Sequence, residues 1–394
     1  MLILPAFTFS RIPEIHFGAG KLAQLPALIR RGGSRVLLVT GSGSFRRSGH
    51  FSRLQAAFAE ANISFECEAV TGEPSPCLVD EVVSRHRRDT PDWVLAIGGG
   101  STVDAGKAIS AMLPQSGSVK DFLEGREVRK HDGRKLPFIA VPTSSGTGSE
   151  ATKNAVLSEV GENGFKSSLR HDNFMPDIAV IDPELMRSCP PGVTAACGLD
   201  ALTQLLESWV SSKASPISDA LALSGLEHVA AGFLRACEDG ENDLEARGHM
   251  AYAALLSGLT LANAGLGLVH GFAGPIGGFS PMPHGEVCGT LLAETTRATL
   301  AVLFENPQKN VLALEKYARA GAVLAGRSAG SVAADCQQLT QLLDDWVERT
   351  RIPRLGQYGI TAADFPKILQ RSNGKNSPAE LSQQQMVAIL AARL

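Results

Sequence analysis

The chain has 394 residues, with 37 Lys and Arg against 40 Asp and Glu, a formal net charge of -3, 44% hydrophobic residues and 20% charged residues. Such a balance gives no overall pull toward nucleic acid or an acidic membrane surface, and the length predicts about two domains. The short basic groups at Arg46–Arg47 and Arg85 to Arg88 read as solvated faces.

Seven cysteines (67, 77, 189, 197, 237, 288 and 336) include no Cys-x-x-Cys pair, which argues against a disulfide framework and for a reducing compartment, the cytoplasm by default. The opening MetLeuIleLeuProAlaPhe lacks the charged and long apolar regions of a signal peptide. The apolar stretch from Ala251 to Val269 is broken by Ser257, Gly258, Asn263, Gly265 and Gly267, so a buried helix plus loop is expected there rather than a membrane span.

In chain order, Arg35–Thr40 reads as a buried strand followed by a helical pattern over Phe51–Ala61. Asp92–Ile97 is a second strand, ending in Gly98-Gly99-Gly100. Phe138–Val141 is a third, ending at Pro142, and Ile178–Ile181 a fourth. Apolar strands alternating with helices predict a parallel α/β sheet. Beyond Pro190-Pro191 the pattern turns wholly helical, over 194–210, 216–237, 244–264, 286–304, 308–326 and 331–348. The expected architecture is an α/β dinucleotide-binding domain over 1–189 and an all-helical metal and substrate domain over 190–394. The segment Asn373–Pro378 reads as a polar loop before a final helix.

Gly98, Gly99, Gly100 and Ser101 form a strand-to-helix turn, where glycine lets backbone approach a diphosphate and the helix start supplies free N–H groups. It is neither a Walker loop nor a Gly-x-Gly-x-x-Gly fingerprint. A second small-residue loop, Pro142 to Glu150, follows the third strand; the plainer reading is a cap, with Ser149-Glu150 opening a helix. Two such loops at strand ends together favour a dinucleotide. After the first strand, Gly41 stands where an acidic residue would bind the ribose hydroxyls. Ser42 and Ser44 are donors there and Arg46 and Arg47 lie nearby, which favours NADP(H) over NAD(H).

Asp200 and Gln204 are spaced i, i+4, so a helix puts both on one face. His270 closes an apolar run and His284 sits in MetProHisGly. One carboxylate and two imidazoles suit Zn(II) or Fe(II), with a position left open for substrate. Asp200 as a simple helix cap is the bland alternative, and Gln204 either binds the metal or holds a metal-bound water. Cys197 has nothing to mark it as a nucleophile, and Phe272 and Phe279 could wall a substrate pocket. The other histidines (16, 50, 86, 131, 171, 228 and 249) are read as packing or surface residues.

These motifs, in order, are GlyGlyGlySerThrValAspAlaGlyLys at 98–107, ProThrSerSerGlyThrGlySerGlu at 142–150, GlyLeuAspAlaLeuThrGln at 198–204, LeuValHisGlyPheAlaGlyProIleGlyGly at 268–278 and ProHisGlyGlu at 283–286. Together they resemble the iron-containing (group III) alcohol dehydrogenase family, whose fold is like that of dehydroquinate synthase, over nearly the whole chain. The resemblance implies a cleft between two domains, with the glycine turn on the cofactor diphosphate. Thr143, Ser144, Thr147 and Lys166 would contact the nucleotide, with Asp104 and Val156 as further cofactor candidates. It also implies a homodimer and catalysis at Asp200, His270 and His284.

Two departures stand out. The family metal site is one Asp and three His, so Gln204 replaces a histidine. Gly274 stands where many members carry a further histidine credited with substrate positioning or proton relay. The expected activity is metal-assisted alcohol dehydrogenase or aldehyde reductase chemistry on a small alcohol or aldehyde. Two alternatives stay open: a metal-independent carbonyl reductase of the maleylacetate reductase type, and a catalytically impaired nucleotide-binding protein.

Overall fold

The computed structural model describes residues 6–161 and 164–394; the signal-peptide reading of the first residues rests partly on positions outside that range. Six parallel strands form one sheet in the order β3 (Ser64–Val70), β2 (Arg35–Gly41), β4 (Trp93–Gly98), β5 (Phe138–Pro142), β8 (Ile178–Ile181) and β1 (Glu14–Phe17). The four strands expected from the sequence are the four in the middle. β4, β5 and β8 are buried at every residue, as a sheet covered on both faces requires. At the edges, β1 and β3 are made almost wholly of exposed and half-buried residues, with only Val70 buried, so neither shows the continuous apolar run of the central strands.

Helices α1 (Leu25–Arg30), α2 (Gly49–Glu60), α3 (Pro76–His86) and α4 (Gly100–Met112) cover the sheet. One apolar cluster joins α3 and α4 to one sheet face through Val79, Val83, Ile109 and Phe138, and another lies on the opposite face around Leu25, Leu54 and Ile97. An antiparallel hairpin, β6 (Asn154–Glu159) and β7 (Phe165–Arg170), stands apart from the sheet. Between Pro142 and β6 the only helical element is a single 3-10 turn, Ser149–Ala151, so Ser149-Glu150 open a short turn after Gly148 and not an α-helix.

Among the described residues no strand follows Ile181. The second half is built from α5 (Pro191–Trp209), α6 (Pro216–Asp239), α7 (Leu244–Ala264), α8 (Leu268–Phe279), α9 (His284–Glu305), α10 (Val311–Leu324), α11 (Val332–Arg349), α12 (Phe365–Arg371) and α13 (Gln383–Ala392). Several starts are written locally: α5 and α6 carry proline in their first turn, and Ser215 and Ser218 form a reciprocal cap before α6. The apolar run 251–269 is α7 followed by a turn into α8, bent by 99°. Gly265 ends α7 with φ +69°, and a Cβ there would sit 2.6 Å from the Asn376 amide. α9 is long and apolar enough to cross a membrane, yet 67% of that window is buried in the helical core.

Candidate metal centre and cofactor cleft

Three helices bring the candidate metal ligands together. Asp200 lies in the interior of α5, far from its start at Pro191 and 2% exposed, so it is not a helix cap. His270 stands in the first turn of α8, just past the Gly265–Gly267 turn, and His284 is the first residue of α9, entered through Pro281-Met282-Pro283. Oδ1 of Asp200 is 3.3 Å from Nε2 of His270 and 3.8 Å from Nε2 of His284.

Two participants were not expected from the sequence. Glu207, two turns along α5 from Asp200, accepts hydrogen bonds from the Val269 backbone N–H and from Nδ1 of His270, both at 2.7 Å. That contact fixes the ring's tautomer, leaving the Nε2 lone pair aimed at the cluster. Cys288, one turn after His284, places Sγ 3.7 Å from Nε2 of His270 and 3.8 Å from Nε2 of His284. One donor atom each from Asp200, His270, His284 and Cys288 lie within 4.8 Å of one another. Spacing alone held a signal for both: i+7 from Asp200 and i+4 from His284 return to the same helix face.

Gln204 is on the expected face, but its amide N donates to Oδ1 of Asp200 at 3.2 Å, and its own Oε1 is buried without a partner. Burial opposes ionisation of Asp200, yet His284 and His270 beside it hold its pKa down at about 2. Burial likewise opposes charge on His270, but Cys288, Asp200 and Glu207 raise its pKa well above the ordinary value. His284 goes the other way, lowered to about 4 by burial and by nearby Lys166.

The nucleotide loops sit side by side at the carboxyl ends of β4 and β5, where the Thr143 N–H bonds to the Gly98 carbonyl at 2.9 Å. Side chains of the second loop fill the space left by glycines of the first: a Cβ on Gly100 would lie 2.5 Å from the Thr147 hydroxyl and one on Gly99 3.3 Å from that of Ser144, while Gly98 is closed off by Thr102 of its own segment, 2.5 Å away. Lys107, fully buried on α4, ties the second loop down by donating to the Ser149 and Asn154 carbonyls and the Thr152 hydroxyl at 2.7–2.9 Å. Asp104 accepts from the Ser149 hydroxyl and from the Val156 N–H. Burial raises the Asp104 pKa and that of Glu150, to about 7 for Glu150, and lowers that of Lys107 to about 8.

A cavity of about 630 Å³ joins the two halves: Gly100, Ser101, Asp104, Thr147, Val156 and Lys166 line one end, and Gln204, His270, Gly274 and His284 the other. A second cavity, about 580 Å³, is lined by Ser44, Gly99, Thr143 and Ser144 beside the β2–α2 loop. Gly41, Ser42 and Gly98 line neither, Gly98 being buried beneath Thr102. Lys166 pairs with Glu73 at 2.9 Å. Phe272 is wholly inside the helical core and Phe279 packs against that core, so neither walls the cavity. Burial raises the Cys197 thiol pKa, the opposite of what a nucleophile needs.

Residues 13–183 match the iron-containing alcohol dehydrogenase family, and residues 194–394 match the C-terminal part of the Fe-containing alcohol dehydrogenase family. The chain is 31% identical to the NADPH-dependent butanol dehydrogenase of Clostridium saccharobutylicum over 97% of its own length and 96% of that protein. It is 31% identical to the 1,3-propanediol dehydrogenase of Klebsiella pneumoniae, with 91% of each chain covered. A crystal structure of 1,3-propanediol oxidoreductase superposes with a TM-score of 0.88 at 28% identity, covering 99% of this chain and all of that one.

Proposed function

This chain belongs to the iron-containing alcohol dehydrogenase family, an oxidoreductase family acting on CH–OH donors with a nicotinamide cofactor, and on that premise we propose how its site works. The reading is an NADP(H)-preferring, divalent-metal-assisted interconversion of small alcohols and aldehydes. The observation that carries it is the cavity running from the glycine turn to His270 and His284, which would bring a bound nicotinamide and a carbonyl into one cleft.

Asp200, His270 and His284 are a donor set that suits Fe(II) or Zn(II), and the orphaned Oε1 of Gln204 beside them is a buried acceptor awaiting a partner. A cation held there supplies Lewis acidity to the alcohol or carbonyl oxygen. Glu207, accepting from Nδ1 of His270, orients the ring with Nε2 toward Asp200 and Cys288. The loops at 98–101 and 143–149 would hold a nicotinamide cofactor, which would supply the hydride exchanged with the substrate carbon. Nothing lies within 4 Å of where a Cβ on Gly274 would stand, which leaves room for substrate or water and routes the hydroxyl proton to solvent rather than to an imidazole.

Gly41 closing β2, with Arg46 and Arg47 following and exposed, supports the 2′-phosphate preference, as the absence of an acidic residue removes a repulsion. All seven cysteines are free, which supports a cytoplasmic setting. Steady-state reduction of short aldehydes with NADPH and with NADH is the direct assay: higher kcat/KM with NADPH supports the reading, and a preference for NADH defeats the cofactor assignment. One observation favours the metal-independent reductase: Gln204 spends its amide N–H on Asp200, so the histidine it replaces has no equivalent at that position.

A further inference from the structure

We infer that Cys288 is the fourth protein ligand of the metal site begun by Asp200, His270 and His284, a sulfur that takes over from the missing histidine at position 204. This rests on the metal-assisted reading above and adds to it the identity of the coordination shell. Since zinc–sulfur bonds are about 2.3 Å and zinc–nitrogen bonds about 2.0–2.1 Å, a tetrahedral site has a sulfur–nitrogen edge of about 3.6 Å and nitrogen–oxygen edges of about 3.3 Å. The sulfur–nitrogen separations here are 3.7 and 3.8 Å, and the oxygen–nitrogen separations 3.3 and 3.8 Å. The four separations thus match donors gathered around one ion of that size, and all four donor atoms, from three helices, lie within 4.8 Å of one another.

A buried cysteine most often packs as a small hydrophobe. Cys288 is fully buried, but its sulfur sits nearly equidistant from Nε2 of His270 and Nε2 of His284, at 3.7 and 3.8 Å. Gln204 has the other duty. By donating to Asp200 it orients the carboxylate, and its unpartnered Oε1, on a residue 2% exposed that lines the cavity, is placed to receive a hydroxyl from substrate or water.

Charge points the same way. A carboxylate and a thiolate neutralise a dication in this buried site, whereas a carboxylate and a neutral amide leave one positive charge uncompensated. On binding, the thiol proton leaves to solvent. A thiolate in the set favours zinc over the harder ions that an oxygen-rich set would hold.

The test is Co(II) loading of the metal-stripped full-length protein. One Co(II) per chain with a near-ultraviolet sulfur-to-cobalt charge-transfer band is expected, and Cys288→Ser should lose that band. Its zinc affinity, measured by chelator competition, should drop roughly a hundredfold, the upper end of what losing even a supporting partner costs. The band is read on the wild-type protein, so a poorly folding variant does not remove the test. One Co(II) per chain without the band, and a Cys288→Ser affinity like wild type, would overturn the assignment while leaving the metal-assisted reading standing. No Co(II) binding at all would overturn both.

Discussion

Replacing Glu207 by Gln changes almost no volume and should still disable the site, because it reverses one proton. The carboxylate accepts from the Val269 N–H and from Nδ1 of His270, each at 2.7 Å, on a residue 8% exposed. A glutamine can keep the first bond through its carbonyl oxygen, but then its amide N–H₂ faces Nδ1. Nδ1 must accept, the ring proton moves to Nε2, and the lone pair that faces Asp200 and Cys288 is lost. Loss of a supporting carboxylate typically lowers metal affinity 10–100-fold, about 1.4–2.7 kcal/mol. Zinc competition against a chromophoric chelator at neutral pH measures it, with circular dichroism to show the helices intact. Unchanged zinc affinity in Glu207→Gln would refute the claim that this carboxylate holds His270 in its ligating tautomer.

Three further perturbations probe the remaining parts. In Gly100→Ala the new Cβ meets Thr147 at 2.5 Å, so the two nucleotide loops must part, at about 1–3 kcal/mol. The KM for cofactor should rise with metal content unchanged, and an unaltered KM would contradict the interlocked-loop account. Gly41→Asp has room, since its Cβ would be 3.5 Å from the nearest atom, the Thr102 hydroxyl. It should cut the ratio of NADPH to NADH kcat/KM by at least about tenfold, or roughly 1.4 kcal/mol, and a constant ratio would remove the 2′-phosphate argument.

Glu150, 3% exposed, has its pKa raised by burial from 4.5 to about 7. The folded state therefore binds its proton more tightly than the unfolded chain, and stability falls as pH rises through that window. In Glu150→Gln this loss should vanish, leaving the variant more stable above pH 7 by on the order of 3 kcal/mol and equal to wild type near pH 4. Parallel urea-unfolding profiles of the two proteins against pH would contradict it.

How much of this was readable without coordinates follows from where each signal lies. β4, β5 and β8 announce themselves because both faces are buried, so nearly every residue is apolar. The edge strands β1 and β3 are largely half-buried or exposed, and the β6–β7 hairpin, though mostly buried along β6, mixes polar with apolar residues, so none carries a matching apolar run. α8 was not among the helices expected: its four glycines and an internal Pro275 disfavour helix, and packing against its neighbours overrides that local preference.

Asp200, Gln204, His270 and His284 were legible as residue types in recognisable motifs. Glu207 and Cys288 carried only the helical spacing to Asp200 and His284, a signal too common to single them out until three helices bring them beside His270. Lys107, a lysine inside a glycine motif, reads as a surface charge, and only its four hydrogen bonds to the neighbouring segment show it as the pin of the second loop.

The central claim, a metal-assisted hydride transfer, stands or falls on aldehyde-dependent NADPH oxidation by the purified protein before and after metal stripping. The account predicts that activity disappears with the metal and returns on addition of Zn(II) or Fe(II). Activity that survives complete stripping would contradict it and make the metal-independent carbonyl reductase the correct reading.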